Sequence, residues 1–82
     1  MRDFKYIIVE SEGIRSAILF ENVLSHKYVA ANKTVYSAGF FSVDTENKSI
    51  LVWGKSVTLN IESKQEDKLL IERLVFPKKT IW

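Results

Sequence analysis

His26 is the only histidine in this 82-residue chain. A nucleophilic triad would need it beside a serine, such as Ser25, Ser37 or Ser56, with a carboxylate behind it. On a helical wheel it points away from Leu24, Tyr28 and Ala31, and nothing in the local spacing supplies that acid. The pattern therefore predicts an exposed helix histidine or a hydrogen bonder near a helix cap. A metal centre would need further ligands, but the carboxylates are scattered and there is no cysteine. Gly54-Lys55-Ser56 has the ending of a phosphate loop, yet Ser49 stands where the upstream glycine should be. The run also leads into a strand pattern rather than a helix. Glu66-Asp67 is a carboxylate pair that helix capping explains better than acid–base work. No catalytic residue, cofactor site, cofactor or metal ligand is assigned, and the chain reads as a non-enzyme.

Two groups of residues suit binding instead. Tyr36, Phe40, Trp53 and Lys55 share a sheet face if the strands pair as described below. Exposed, they would form a base-stacking platform with a cation beside it. Leu69 and Phe76 fall off the apolar stripe of the second helix, and Ile81-Trp82 ends the sequence with two large apolar groups. Together these four point to a protein partner or to self-association.

The elements that must position these residues follow from periodicity and turn chemistry. Phe4–Val9 is aromatic and β-branched, Ser11-Glu12-Gly13 turns the chain, and 15–20 returns as a second strand. A short helix is expected within 23–32, capped by Asn22 or Ser25, with Leu24, Tyr28 and Ala31 facing inward. A second hairpin turns at Asp44-Thr45-Glu46-Asn47-Lys48. Centring it on Glu46-Asn47 sets Val43 opposite Ile50, Phe41 opposite Val52 and Phe40 opposite Trp53, so that faces match. Beyond it, apolar parity changes from even (Ile50, Val52) to odd (Val57, Leu59, Ile61). A bulge or break at Gly54-Lys55-Ser56 would reconcile the two sets. Ser63-Lys64-Gln65-Glu66 predicts a capping box opening a helix over 64–75, with Pro77 ending it and Leu70, Ile71, Leu74 and Val75 as its inner stripe.

Composition sets the class. One chain of 82 residues with 46% hydrophobic content makes one domain, residues 1–82, with a single core. Twelve Lys and Arg against ten Asp and Glu leave a net charge of +2, weak for a dedicated nucleic-acid binder. Lack of cysteine and of a signal-like or membrane-length apolar run suggests a cytoplasmic protein with no membrane association. The expected fold is α+β: a two-layer ββα–ββα arrangement with an antiparallel sheet of four to five strands and both helices on one face.

Leu24-Ser25-His26, Ser37-Ala38-Gly39-Phe40, Gly54–Leu59 and Ser63 with Glu66-Asp67 and Leu70-Ile71 together give a pattern that covers most of the chain. It resembles small bacterial and prophage-encoded proteins of about this size that carry no assigned activity. The resemblance implies a bacterial or phage cytosolic setting and transfers no site residue. The functional expectation is a small protein-interaction module, as a homodimer, with nucleic-acid binding through the aromatic face as the alternative.

Overall fold

The computed structural model describes residues 3–77. In chain order the elements are β1 (Asp3–Ser11), β2 (Ile14–Phe20), α1 (His26–Ala30), β3 (Val35–Asp44), β4 (Ser49–Trp53), β5 (Lys55–Ser56), β6 (Ile61–Glu62) and α2 (Asp67–Val75). The order follows the expected hairpin–helix–hairpin–helix, with a third, short hairpin, β5–β6, added before α2. β2-β1-β3-β4 form an antiparallel four-stranded sheet, and β5-β6 form a separate two-stranded one. The class is α+β.

Turn chemistry places both hairpins. β1 and β2 pair from Lys5–Phe20 to Ser11–Ile14, which leaves Glu12 and Gly13 as a two-residue loop. Both have positive φ, 53° and 78°, the turn whose twist matches flanking strands. β3 and β4 pair Val43 with Ile50, Phe41 with Val52 and Phe40 with Trp53, the predicted register. Asp44 closes that turn: its Oδ1 accepts from the Glu46 and Asn47 amides at 3.1 and 3.2 Å.

β4 stops at Trp53 because Gly54 adopts φ +78°, where a side chain would be strained. The parity change is therefore a break between two sheets rather than a bulge within one strand. Residues 57–60 do not continue an extended strand but turn β5 back into β6. The Ser56 hydroxyl accepts from the Leu59 amide at 3.1 Å, and Val57 is left exposed. Gly54 O in turn accepts from the Ser63 amide and hydroxyl at 3.0 and 2.7 Å. Ser63 thus ties the sheet switch instead of capping α2.

The two helices do not share a face. On one side of the sheet Tyr6, Ile8, Phe41, Ile50 and Val52 pack with Ile71 of α2. On the other, Ile7 and Ala38 pack with Ala30 of α1 and with Leu59 and Ile61 of the small hairpin. Since Ile7 lies between Tyr6 and Ile8 in one strand, these are opposite faces. The expectation of one shared helix face fails because β1 is apolar at consecutive positions, so both its faces demand cover. Tyr6, Ile7 and Ile8 are all fully buried.

Asp67, 1% exposed, sets the rotation of α2. Its Oδ2 accepts from the Tyr6 hydroxyl at 2.5 Å and the Lys64 amide at 2.9 Å, and its Oδ1 accepts from the Ser37 hydroxyl at 2.8 Å. The Lys64 bond is the reciprocal half of a capping box, made one residue later than predicted. Lys64–Glu66 form a turn, and α2 begins at Asp67. Asp67, Ile71 and Val75 then line the inner face, leaving Leu74 55% exposed and outside the core. Phe76, expected off the stripe, is partly buried and packs against this same core. Leu69 is exposed as expected. Ile81 and Trp82 lie outside the described residues.

Burial first, and then the adjacent Asp67, push the Tyr6 phenol up, so it stays a donor. Asp67→Ala strands three donors, each costing about 1–3 kcal/mol. Denaturant midpoints should show a loss of about 3 kcal/mol or more, against about 1 kcal/mol for Tyr6→Phe, which removes only one donor. A change below about 0.5 kcal/mol for Asp67→Ala would show that the network does not anchor α2.

Candidate functional site

The face covered by α1 carries one continuous cross-strand row: Phe20, Lys5, Phe40 and Trp53, contributed by β2, β1, β3 and β4 in turn. Directly opposed residues share a face, so all four project to the same side. Phe40 and Trp53 stack with centroids 6.1 Å apart and planes 20° apart. His26, at the start of α1, stands edge-on to Phe20 at 5.5 Å and to Phe40 at 5.6 Å.

His26 is buried rather than exposed, but it is the hydrogen bonder beside a helix cap that the sequence also allowed. α1 is only five residues long and turns inward the face that holds His26 and Ala30. Leu24 and Tyr28, expected inside, are 39% and 74% exposed. Ser25 caps the helix, its Oγ accepting from the Tyr28 amide at 3.0 Å. The inversion has a physical cause. His26 Nε2 donates to Gly39 O at 2.8 Å, a bond no leucine could make, and its ring fills the gap between two phenylalanines. Gly39 itself admits no side chain: a Cβ would stand 2.7 Å from Trp53 O and 2.8 Å from Ser63 Cβ.

Lys5 runs beneath this cluster and donates from Nζ to Leu24 O at 2.8 Å, holding the β2–α1 connection down. Beside it opens a cleft of about 220 Å³. The sheet contributes Lys5 and Phe40, α1 and its cap contribute His26 and Ser25, and the β5–β6 hairpin contributes Lys55, Val57 and Thr58. Lys55 sits opposite Glu62 in the hairpin register, and no ion pair joins them. The cleft therefore combines two ammonium groups, an aromatic wall and hydroxyls, a set suited to an anion or a flat anionic ligand.

Of the predicted aromatic platform, Phe40, Trp53 and Lys55 do come together here, and Tyr36 does not. The β1–β3 register shifts between Ile8 and Val9, which pair with Ser37 and Val35 and leave Tyr36 as the extra residue. This bulge turns Tyr36 to the α2 side. There Arg15 and Lys64 each lie 3.6 Å from its ring centroid. The hydroxyl donates to Glu66 at 3.2 Å, and Arg15 also pairs with Glu10 at 2.9 Å. Tyr36 is thus engaged by its own chain. Ser37 and Ser56, the other serines weighed for a triad, are both buried and bonded elsewhere, Ser37 to Asp67 and Ser56 to Leu59. The sequence pattern missed Lys5, whose place among apolar strand residues marked it only as an interruption.

Burial pushes the His26 imidazole below its ordinary value of 6.5, the Gly39 bond opposes this, and Lys5 adds to it. The unfolded chain then takes up a proton that the folded one resists, so stability falls as pH drops below about 6.5 and levels off once the folded ring also titrates. Thermal melts between about pH 7 and pH 5 should show this loss in the wild type and a shallower slope in His26→Gln, which keeps a donor for Gly39 O. Equal slopes would show that His26 titrates alike in both states.

No family model matches this chain, and no curated protein and no solved structure matches it either.

Proposed function

We propose that this chain is a non-enzymatic interaction module, of a kind that suits a bacterial or phage accessory protein, and that it binds protein by self-association. One observation carries the reading: around α1 the polar residue faces in and the apolar residues face out. Val23 is 90% exposed and Tyr28 74%, with Leu24 between them, while His26 is buried. Large apolar groups gathered on one short stretch are the mark of a surface that a partner covers. Closed twofold pairing is the commonest way to cover such a surface. Leu69, exposed on α2, stands on the other side of the sheet, as does the exposed Leu74. No helix among the described residues is long and apolar enough to cross a membrane.

Sedimentation velocity at micromolar concentration should show a dimer. Replacing Val23 and Tyr28 by serine should shift it to monomer with an unchanged circular dichroism spectrum. A wild type that stays monomeric would overturn self-association, and loss of folded signal in the variant would assign these residues to the core.

Nucleic-acid binding is the second reading, favoured by the Phe40–Trp53 stack lying beside Lys5 and Lys55. Here base stacking would add to phosphate contacts. Against it stand the small net charge of +2 and the loss of Tyr36 to the opposite face. In a Trp82→Phe background, where Trp53 is the one indole left, titration with a short oligothymidylate should quench the fluorescence, with Lys55→Ala weakening the effect and salt abolishing it. Unchanged emission at low salt would end this reading.

A further inference from the structure

We propose that the cleft between α1 and the β5–β6 hairpin is a binding site for a hydrogen phosphate group, free or at the end of an organic monoester. The inference goes beyond the interaction reading and does not depend on it. It rests on what each lining group has left to offer.

Lys5 spends one of its three ammonium donors on Leu24 O and keeps two. Lys55 has an exposed side chain with no hydrogen bond or ion pair among the described residues. Ser25 Oγ accepts from Tyr28 and so keeps its own hydroxyl proton to donate. Two cations and a hydroxyl converging on one cleft recognise an oxyanion by charge-assisted hydrogen bonds.

His26 narrows the class. Its partner Gly39 O can only accept, so Nε2 carries the proton and, in the neutral ring, Nδ1 is an acceptor. Among the described residues the ring makes no second hydrogen bond. Yet among the described residues no buried side-chain nitrogen or oxygen lacks a partner, so Nδ1 must reach solvent. The opening available to a ring that lines the cleft is the cleft itself. The site then holds one acceptor among donors. Hydrogen phosphate supplies a P–O–H for that acceptor, as does the monoanion of a phosphate monoester, which is half populated at about pH 6, whereas sulfate has none. A site with a committed acceptor discriminates against a ligand that leaves it unpaired. The Phe40 ring beside the anion position suits an aromatic or otherwise apolar ester group.

The test is a titration of the full chain at about pH 6, where a phosphate monoester keeps its P–O–H in half of the molecules, and at matched ionic strength, with inorganic phosphate, sulfate and phenyl phosphate in turn. Amide signals of Ser25, Phe40, Lys55 and Thr58 are followed by NMR. Phosphate should shift them saturably, with sulfate roughly tenfold weaker. Lys55→Ala should weaken phosphate about tenfold, whereas Lys68→Ala, on α2 across the sheet, should not. Tighter binding of phenyl phosphate supports a monoester as the ligand, and equal or weaker binding supports free phosphate. Absence of saturable shifts at these residues with all three probes would overturn the proposal. So would equal affinity for phosphate and sulfate together with no effect of Lys55→Ala.

Discussion

The buried carboxylate of Asp67 is the constraint on which the α2 side of this structure depends. A carboxylate out of water is costly unless its lone pairs are met, and here three donors meet them. They are Tyr6 from β1, Ser37 from β3 and the backbone of Lys64 just ahead of α2. The three come from separate parts of the chain, so the helix cannot rotate or slide without breaking bonds that cannot be replaced inside the core. That accounts for the inner face running through Asp67, Ile71 and Val75, and for an exposed Leu74.

The opposite face is organised by a looser logic. A five-residue helix contributes little stability of its own and is held from outside. Lys5 grips Leu24 O, and His26 is wedged between Phe20 and Phe40 while bonded to Gly39 O. Placing a histidine inward and a tyrosine outward gives up apolar burial on α1, and it leaves Lys5, Lys55, His26 and Phe40 around one opening. The α2 side carries the larger buried cluster, and the α1 side carries a smaller one beside the cleft.

Two local departures from regular strand geometry separate these faces. The β3 bulge sends Tyr36 to the α2 side, where Arg15 and Lys64 occupy its ring. Gly54 ends β4 and turns the chain into the small hairpin, which delivers Lys55 and Thr58 to the cleft. Without the break, the residues after Trp53 would have continued along the sheet edge.

The sequence by itself determined what depends on neighbouring residues: two hairpins, the β3–β4 register from Val43–Ile50 to Phe40–Trp53, a turn at Glu12-Gly13, a disruption at Gly54 and a helix before Pro77. Strand alternation and turn conformation are properties of a few consecutive residues, so they can be read along the chain. Of the candidate site, Phe40, Trp53 and Lys55 were legible as a group because that register brings them together. Tertiary structure decided which face each helix covers, where Tyr36 points, that Phe76 joins the core, and that His26 faces in. A helical wheel ranks faces by hydropathy alone. It carries no information about a carbonyl such as Gly39 O, waiting on a strand thirteen residues away for a donor. A bulge, likewise, exists only in the pairing of two strands, and Lys5 gains its role only when the β2–α1 connection folds over it.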